Sequence, residues 1–514
     1  MSLICFPFKN EKLVSIQRNV QIALSAHKNI KVVLLVGAVR NECYLSIEKW
    51  VQNDLSMRDD VVVRVTLQES IGERVGKDEE DVDLENGGIQ NGTLLKERKK
   101  KVGKYVRRSG KGDGMNTALK WFLSAHKDSS LYPVLNPEMP LQQIHFYDAD
   151  ITSFSSAWIT RAESFLESNP EVDILRHYFY RSPTDGLITL FITRIGFAYC
   201  YPRTYLPRIK QPLGGELIMR RHVVEEFVKD KRIRRISDWG IDTGYTFKSI
   251  QNGFKVCDIY APEGKIHGLY DGLDDLKVMC CECFWTLCEF YRNGEKVEGI
   301  ESDDDGGDGG DVKYVCCEEG DGKEEIPEKV KSKIGYDIEA SLKLLGQNWS
   351  RKQEELLMYH LDKDVVEGLL ECRKWPVFNF MNENAWVRAY VVFLKHYDPN
   401  CEDWKELLFK MWVARVLNYS MRHVIRGYDI AMQENEKFVS DVYRERSRQL
   451  EQGTGGGQQQ QQNGIDASLN GVANGIEVSS LQVNGAKELN GCLNGHAVHS
   501  NGHLHSEQPT KNLE

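Results

Sequence analysis

Apolar segments of strand length alternate with segments of helical spacing over the first 150 residues. The apolar positions at 114–126 recur at the spacing of a helix, and the segment that leads to His27 has the same character. Four strand-length runs are rich in β-branched and aromatic residues: 2–8, 31–37, 61–68 and 143–150. Strands that alternate with helices predict a mainly parallel sheet covered by helices on both faces, which is an α/β fold.

The pattern changes along the chain and so predicts its domains. Residues 1–295 mix strands with helices and are expected to form one α/β domain, with a mobile charged insertion at 71–108. The stretch 296–330 is acidic and glycine-rich, as in a linker or loop. Residues 331–450 carry long helical patterns and predict a helical C-terminal domain, which could also build a homo-oligomer interface. The rest, 451–514, is rich in Gln, Asn and Gly and is expected to be disordered.

Charge and hydropathy narrow the class of protein. The chain has 514 residues and a formal net charge of −10, which does not favour attraction to nucleic acid or to anionic membranes. The basic run 96–101 contains no aromatic residue, so a solvated loop is favoured over a nucleic-acid patch. No apolar run approaches the roughly 18 residues of a membrane span, and no basic segment of a signal peptide precedes the first apolar run. We therefore expect a cytoplasmic protein with neither a nucleic-acid nor a membrane partner.

The cysteines are consistent with a cytoplasmic protein. There are 13 of them, an odd number scattered through the chain, which indicates reduced thiols. Cys280, Cys281, Cys283 and Cys288 include one CxxC in a segment of helical apolar spacing. A structural zinc site usually needs a second such pair, so buried free thiols are the favoured interpretation.

Polar residues follow the ends of the predicted strands. Open α/β sheets bind ligands beyond the carboxyl ends of their strands, so side chains at these positions are expected to face one cleft. The residues are Lys9, Glu11, Arg40, Gln68, Asp148 and Asp150.

Asp148 and Asp150 are the sharpest local signal. They lie two residues apart at the end of the run 143–150, where both carboxylates could reach one divalent cation and the ribose of a nucleotide. Oxygen ligands of this kind suit Mg²⁺ or Mn²⁺, which bridge phosphate oxygens. The alternative is a pair of surface acids in a turn, because an isolated DxD triplet is common by chance.

The glycine-rich segment 108–116 opens the predicted helix. Its glycines allow the backbone to approach a ligand, and a helix N-terminus favours an anion, so Lys111 could contact a phosphate or a ribose. The spacing is not that of a P-loop. By itself, an ordinary flexible helix entry is the simpler interpretation.

Other segments could line a sugar site. The paired glycines of 211–216 permit close approach to a sugar or to another strand, and 238–242 places Trp239 between two acids before a helix. A core tryptophan is the alternative for Trp239, and a structural role is the alternative for His267. Arg181 follows a predicted strand, where its guanidinium could hold a carboxylate or form a surface ion pair.

Taken in order, these motifs resemble the mannosylglycerate synthase family, which are retaining glycosyltransferases of the GT-A fold. The resemblance runs from Met1 to about Gly427, and many motifs in one order are more specific than any single motif. The segments that carry it are SLICFPFK, KGDGMNTAL, HFYDADITSF, RHYF, QPLGGEL, SDWGIDT, PEGKIHGLYDGLDDL, FNFMNENAW, LLFKMWVARVLNYSM and RGYD. It implies a GT-A-type nucleotide-sugar-binding domain, a GDP-mannose donor, a D-glycerate acceptor and a divalent metal, Mn²⁺ or Mg²⁺.

The resemblance also implies roles for matching positions. The residues that bind the GDP part of the donor would be Lys9, Glu11, Gln68, Lys111, Asp148, Ala149 and Tyr270. The metal ligands would be Asp150 and His267. The residues around the sugar and the reacting atoms would be Leu213, Trp239 and Asp242. The residues that hold the glycerate would be Arg181, Gly186 and Thr189.

The chain departs from the family pattern at two points. The family's tyrosine after the second strand is absent, since the segment reads Gly37-Ala38-Val39-Arg40, and Gly268 stands where a basic residue is familiar. Three alternatives stay open: a glycosyltransferase with another donor such as GDP-glucose or another acceptor such as lactate or glycolate, a nucleotidyltransferase that would release pyrophosphate, and a sugar- or nucleotide-binding protein without catalysis.

Overall fold

An eight-stranded, mainly parallel sheet forms the centre of the computed structural model. Its strands run in the order β3-β2-β1-β4-β6-β5-β7-β8, and β6 alone is antiparallel to its neighbours in the described sheet. The strands are β1 Ser2–Phe8, β2 Ile30–Gly37, β3 Val62–Leu67, β4 Gln143–Phe146, β5 Ile174–Tyr178, β6 Leu217–Arg220, β7 Val256–Tyr260 and β8 Tyr314–Cys317. The central strands are buried on both faces, which is why their sequences read as continuous apolar runs.

The structure describes residues 1–55, 60–70, 110–131, 134–135, 138, 140–267, 272–299, 314–317, 328–331, 335–347, 349–372 and 378–454. The predicted charged insertion, most of the acidic stretch 296–330 and nearly all of the predicted disordered tail lie outside these residues. Within that acidic stretch, residues 314–317 form β8 at the edge of the sheet.

The helices of the first 295 residues pack on the two faces of the sheet. They are α1 Leu13–Ala26, α2 Glu42–Trp50, α3 Lys111–Ser124, α4 Ser156–Ser168, α5 Ile195–Cys200, α6 Arg221–Lys229, α7 Gly240–Gln251 and α8 Leu273–Arg292. Alternate residues of β1 divide between two cores, as the period of two in a strand requires. Leu3 and Cys5 pack with α3, whereas Ile4 and Phe6 pack with α1, α2 and α4.

The C-terminal part is helical, as its sequence predicts. Its helices are α9 Glu328–Lys331, α10 Ile338–Gly346, α11 Arg351–His360, α12 Lys363–Glu371, α13 Glu383–His396, α14 Glu402–Arg422 and α15 Tyr428–Thr454. They share one hydrophobic core with the α3 face of the sheet. The last helix continues to Thr454, a few residues into the stretch expected to be disordered. No helix among the described residues combines the length and apolarity needed to cross a membrane.

The predicted strands match the observed ones closely. The first run, 2–8, is the whole of β1, while β4 ends at Phe146 and leaves Asp148 and Asp150 in the loop beyond it. The sequence therefore predicted an α/β fold with a mainly parallel sheet and a helical C-terminal region, but not β8 or α9, which begin within the expected linker or loop.

Candidate active site

A cavity of about 470 Å³ opens at one edge of the sheet. This edge carries the carboxyl ends of β1, β3 and β4, as expected for an open α/β sheet. Because β6 runs antiparallel, its amino end reaches the same edge, so the residues before Leu217 face the same space. The cavity is therefore built from loops that the topology, and not proximity in sequence, brings together.

All predicted site residues that the structure describes line this cavity. They are Lys9, Glu11, Gln68, Lys111, Asp148, Ala149, Asp150, Arg181, Gly186, Thr189, Leu213, Trp239, Asp242 and His267. Tyr270 lies outside the described residues. Arg40, which also follows a strand, is not part of the lining; its exposed guanidinium lies 3.4 Å from Glu48.

Lys111 is the first residue of α3, and its side chain lies at the centre of the cavity's charges. Its ammonium nitrogen lies 3.0 Å from an oxygen of Asp242 and 3.2 Å from an oxygen of Asp148. The same nitrogen lies 5.6 Å from the centre of the Trp239 ring. Asp242 belongs to the first turn of α7, so the two helices meet through this pair.

Lys265 binds the other side of Asp148. Its ammonium donates to Asp148 at 2.7 Å and to Glu216 at 2.6 Å. Glu216 is fully buried directly before β6, and Lys265 is almost fully buried. Two lysines and three carboxylates thus form one continuous network, Asp242–Lys111–Asp148–Lys265–Glu216.

A glycine makes this network possible. A Cβ atom on Gly215 would lie 2.5 Å from an oxygen of Asp148 and 2.8 Å from the ammonium of Lys111. Both distances are shorter than real contacts, so a side chain at this position would separate the ion pair. The second glycine of the pair at 214–215 therefore leaves room for this ion pair, whereas the sequence predicted close approach to a sugar or to another strand.

The charges determine the protonation states in the network. Burial alone would raise the pKa of Asp148, but the adjacent ammonium groups of Lys111 and Lys265 outweigh it and hold that pKa well below its usual value. Burial raises the pKa of Asp242 and of Glu216, against the opposing effect of the lysines. Asp148 is thus the carboxylate that stays charged over the widest pH range.

Asp150 and His267 face each other across the outer part of the cavity. Nδ1 of His267 lies 4.0 Å from an oxygen of Asp150, and Nε2 lies 3.6 Å from an oxygen of Asp185. Asp150 is 44% exposed, so its carboxylate is open to the cavity. A divalent cation roughly 2.1 Å from each ligand atom fits in a 4.0 Å gap, so the donor set suits such an ion.

One wall of the cavity comes from the segment that follows β5. Arg181 lies 3.8 Å from Asp185, and Gly186 and Thr189 come next along the same segment. The guanidinium and the Thr189 hydroxyl are the kinds of group that hold a small carboxylate. Lys9, Glu11 and Gln68 line the cavity from other loops, which follow β1 and β3.

Sequence reasoning missed three charged residues of the site. Glu216 and Lys265 were read only as parts of their motifs, and Asp185 was not singled out. The signal available for Lys265 was its place two residues before His267 within the motif PEGKIHGLYDGLDDL. Asp185 has no such local signal, since its importance comes from its distance to His267.

Comparison with known proteins assigns the chain to a family. The sequence model described as mannosylglycerate synthase, GT domain, matches residues 2–84 and 90–289, and the one described as mannosylglycerate synthase C-terminal domain matches 330–439. Mannosylglycerate synthases of Selaginella moellendorffii and Rhodothermus marinus are 42% and 40% identical over 433 residues, which cover 84% of this chain and 87% and 92% of theirs. The chain belongs to the mannosylglycerate synthase family.

This membership confirms the resemblance inferred from the motifs, and the match to the family's GT domain makes the chain a glycosyltransferase of that family. Among solved structures, glucosyl-3-phosphoglycerate synthase from Mycobacterium tuberculosis is 13% identical, with a TM-score of 0.38 over 57% of this chain and 79% of that one. The cavity draws on both mannosylglycerate synthase segments, because Tyr336 and Trp412 of the C-terminal segment line it beside the GT-domain residues.

Proposed function

We propose that this protein transfers mannose from GDP-mannose to the 2-hydroxyl of D-glycerate and releases GDP, with retention at the anomeric carbon. The observation that supports this most is the gathering of all described family-matched positions around one cavity, in a chain 42% identical to a mannosylglycerate synthase. The cavity offers cationic groups for a diphosphate on one wall and an arginine for a carboxylate on the other.

The donor would lie along the ends of β1, β3 and β4. Glu11 and Asp148 offer carboxylate oxygens to ribose or base donors, and Lys9 and Lys111 offer positive charge to the diphosphate. The backbone N–H of Lys9 donates to the Glu11 carboxylate at 2.5 Å, which fixes that side chain. Burial raises the pKa of the Glu11 carboxyl, against the opposing effect of its backbone hydrogen bonds.

Asp150 and His267 would hold the divalent metal. When bound, such an ion offsets the charge that builds on the leaving diphosphate. Asp185, facing the other ring nitrogen of His267 at 3.6 Å, would fix the orientation of the imidazole. An imidazole ligand is softer than oxygen, which favours Mn²⁺ slightly over Mg²⁺.

In the transfer, the acceptor hydroxyl attacks the anomeric carbon from the face that GDP leaves. The bond from that carbon to the diphosphate oxygen breaks and the new glycosidic bond forms. The proton of the acceptor hydroxyl passes to the departing diphosphate of GDP. Lys111 places a positive charge beside the leaving group. Asp242 would orient the sugar hydroxyls or stabilise the oxocarbenium-like state, and no covalent nucleophile is assigned.

Arg181 would bind the glycerate carboxylate, with Thr189 and Gly186 beside the neighbouring oxygens. A guanidinium pairs with a carboxylate through two parallel hydrogen bonds, which fixes the acceptor's orientation as well as its charge. Arg181 is 3.8 Å from Asp185, too far for a strong pair, so the guanidinium can still receive a second carboxylate.

The deciding experiment measures GDP release from GDP-mannose with and without D-glycerate, in Mn²⁺ or Mg²⁺ and again with EDTA. Release that depends on glycerate and is abolished by EDTA would support the proposal. The same assay with GDP-glucose, lactate and glycolate tests the other donors and acceptors. Release of pyrophosphate would indicate a nucleotidyltransferase, and donor binding without turnover would indicate a binding protein.

A further inference from the structure

The segment that carries the acceptor wall is held in place by the C-terminal helices. This acceptor segment, residues 184–194, follows β5 and includes Gly186 and Thr189. Its second half, Thr189–Arg194, is a π-helical turn, a rare geometry that is frequent at functional sites. Leu187, Leu190, Phe191 and Ile192 are buried, so polar backbone groups here need partners from the protein.

Those partners come from residues far away in the sequence. The indole N–H of Trp412, on α14, donates to the carbonyl oxygen of Leu187 at 3.3 Å. The indole N–H of Trp386, on α13, donates to the carbonyl oxygen of Phe191 at 3.1 Å. One turn further along α13, the hydroxyl of Tyr390 donates to the carbonyl oxygen of Ile192 at 2.8 Å.

The two ends of the acceptor segment are fixed as well. At its start, the backbone N–H of Gly335 donates to the hydroxyl oxygen of Thr184 at 3.0 Å. A Cβ atom on residue 335 would lie 2.4 Å from the carbonyl oxygen of Thr184, so only glycine fits there. At its end, the guanidinium of Arg194 forms a two-pronged ion pair with Glu436 of α15, at 2.7 and 2.8 Å.

We propose that Trp412, Trp386 and Tyr390 are positioning residues for the acceptor. They hold the carbonyls of the acceptor segment, and so determine where Gly186 and Thr189 lie relative to Arg181. The affinity for the acceptor then depends on how the C-terminal helices hold this segment. The affinity for the donor depends instead on the residues at the ends of β1, β3 and β4. This rests on the proposed function for the identity of the acceptor, D-glycerate.

The test compares Tyr390→Phe and Trp412→Phe with wild type in steady-state kinetics. Each substitution keeps an aromatic ring and removes one N–H or O–H donor from a buried carbonyl, and Tyr390→Phe does so without changing the packed volume. We expect the KM for D-glycerate to rise about tenfold in Trp412→Phe, with a smaller rise in Tyr390→Phe. The KM for GDP-mannose stays within about twofold of wild type.

Trp404→Phe is the matched control. Trp404 is buried on the same helix as Trp412 but packs against His360 and Phe393 and is not part of the cavity lining. It should leave both KM values unchanged. Equal rises in both KM values for Trp412→Phe would overturn the proposal. So would an unchanged KM for D-glycerate in Tyr390→Phe, because Trp412 lines the cavity and could contact the substrate directly, whereas Tyr390 is not among the lining residues.

Hydrogen–deuterium exchange separates this inference from the proposed function. Without any substrate, amides of residues 187–194 should exchange faster in Trp412→Phe and Tyr390→Phe than in wild type and in Trp404→Phe. Wild-type protein without glycerate-dependent GDP release would disprove the proposed function, and the exchange result would still decide whether these residues hold the segment. Unchanged exchange in both variants would refute the positioning role whatever the acceptor is.

Discussion

The ammonium nitrogen of Lys111 lies 3.0 Å from a carboxylate oxygen of Asp242, so the start of α3 is joined to the first turn of α7 inside the cavity. Asp242 is only 5% exposed, and burial raises its pKa. In the proposed reaction, this pair would place a positive charge beside the leaving group and a carboxylate beside the sugar.

Asp242→Asn tests the part of this pair that faces the sugar. The amide keeps the shape but removes the negative charge, so we expect kcat for mannose transfer to fall about a hundredfold with a smaller change in the KM for GDP-mannose. Steady-state GDP release measures both constants. Asp441→Asn, which alters a surface pair with Lys437, is the control and should behave as wild type. Full kcat and unchanged KM in Asp242→Asn would remove Asp242 from the mechanism.

His267→Ala and Asp150→Ala test the metal site. Each removes one ligand, so the Mn²⁺ concentration for half-maximal activity should rise at least about a hundredfold, with activity partly regained at high Mn²⁺. The Mn²⁺ affinity is measured by titrating the EDTA-treated protein with Mn²⁺ and following both the activity and the electron paramagnetic resonance signal of Mn²⁺. His222→Ala is the histidine control, because His222 is half-exposed and pairs with Asp173. Wild-type metal affinity in His267→Ala would exclude the imidazole as a ligand.

Lys265→Met tests the network behind Asp148. The lysine helps to hold the pKa of Asp148 below its usual value, so its removal raises that pKa and lets Asp148 take up a proton as the pH falls. We expect kcat/KM to fall about tenfold at neutral pH and the acidic limb of the pH profile to move to higher pH. Profiles between about pH 5 and about pH 8 measure this shift. Lys437→Met is the exposed control, and an acidic limb at the wild-type position would contradict the role of Lys265.

Glu163→Gln tests a buried carboxylate away from the cavity. Burial alone would raise the pKa of Glu163, but the hydrogen bond and charge of His145, 2.9 Å away, outweigh it and lower the pKa to about 2. A carboxylate with a depressed pKa stabilises the fold above its unfolded value of 4.5, and this contribution is lost as the pH falls toward about 2. Glu163→Gln should therefore lower the free energy of unfolding by roughly 3 kcal/mol at neutral pH, with the difference shrinking below about pH 4.5.

Denaturant unfolding at a series of pH values measures that difference. Glu167→Gln is the matched control, since Glu167 accepts from the same amide, that of Asn29, but is exposed. It should cost less than about 1 kcal/mol. A pH-independent difference between Glu163→Gln and wild type would show that Glu163 acts through packing and not through its charge.

Local patterns predicted the first four strands and the clustering of the polar residues that follow three of them. The carboxyl ends of β1, β3 and β4 follow from three apolar runs, and parallel strands place Lys9, Gln68 and Asp148 at one edge. Glu216 could not be found this way, because its place depends on β6 running antiparallel between β4 and β5. The strand order depends on the whole fold, so the spacing of residues within 211–216 cannot predict it.

The proposed acceptor wall was predictable only in part. Arg181 was suggested by its place after a predicted strand, whereas Gly186 and Thr189 came from the family resemblance, and the residues that hold their segment are about 200 positions further along the chain. Trp386, Tyr390 and Trp412 read in sequence as ordinary apolar positions of helices. Their N–H and O–H groups find hydrogen-bond partners in the acceptor segment only when the C-terminal helices pack on the sheet. A local sequence pattern cannot predict that packing.

One hydrophobic core runs from the sheet into the C-terminal helices. The GT-domain segment and the C-terminal segment therefore pack against each other as one folding unit. On α8, Phe284 packs against Tyr390 and Tyr397 with ring centres 5.2 Å apart in each case, and Arg292 donates to the carbonyl oxygens of Leu394 and Tyr397. A fragment that ends near residue 295 would expose this face to water, and we expect it to aggregate where the full chain folds. We therefore expect exchange of C-terminal segments between relatives to succeed only if α8 is exchanged together with them.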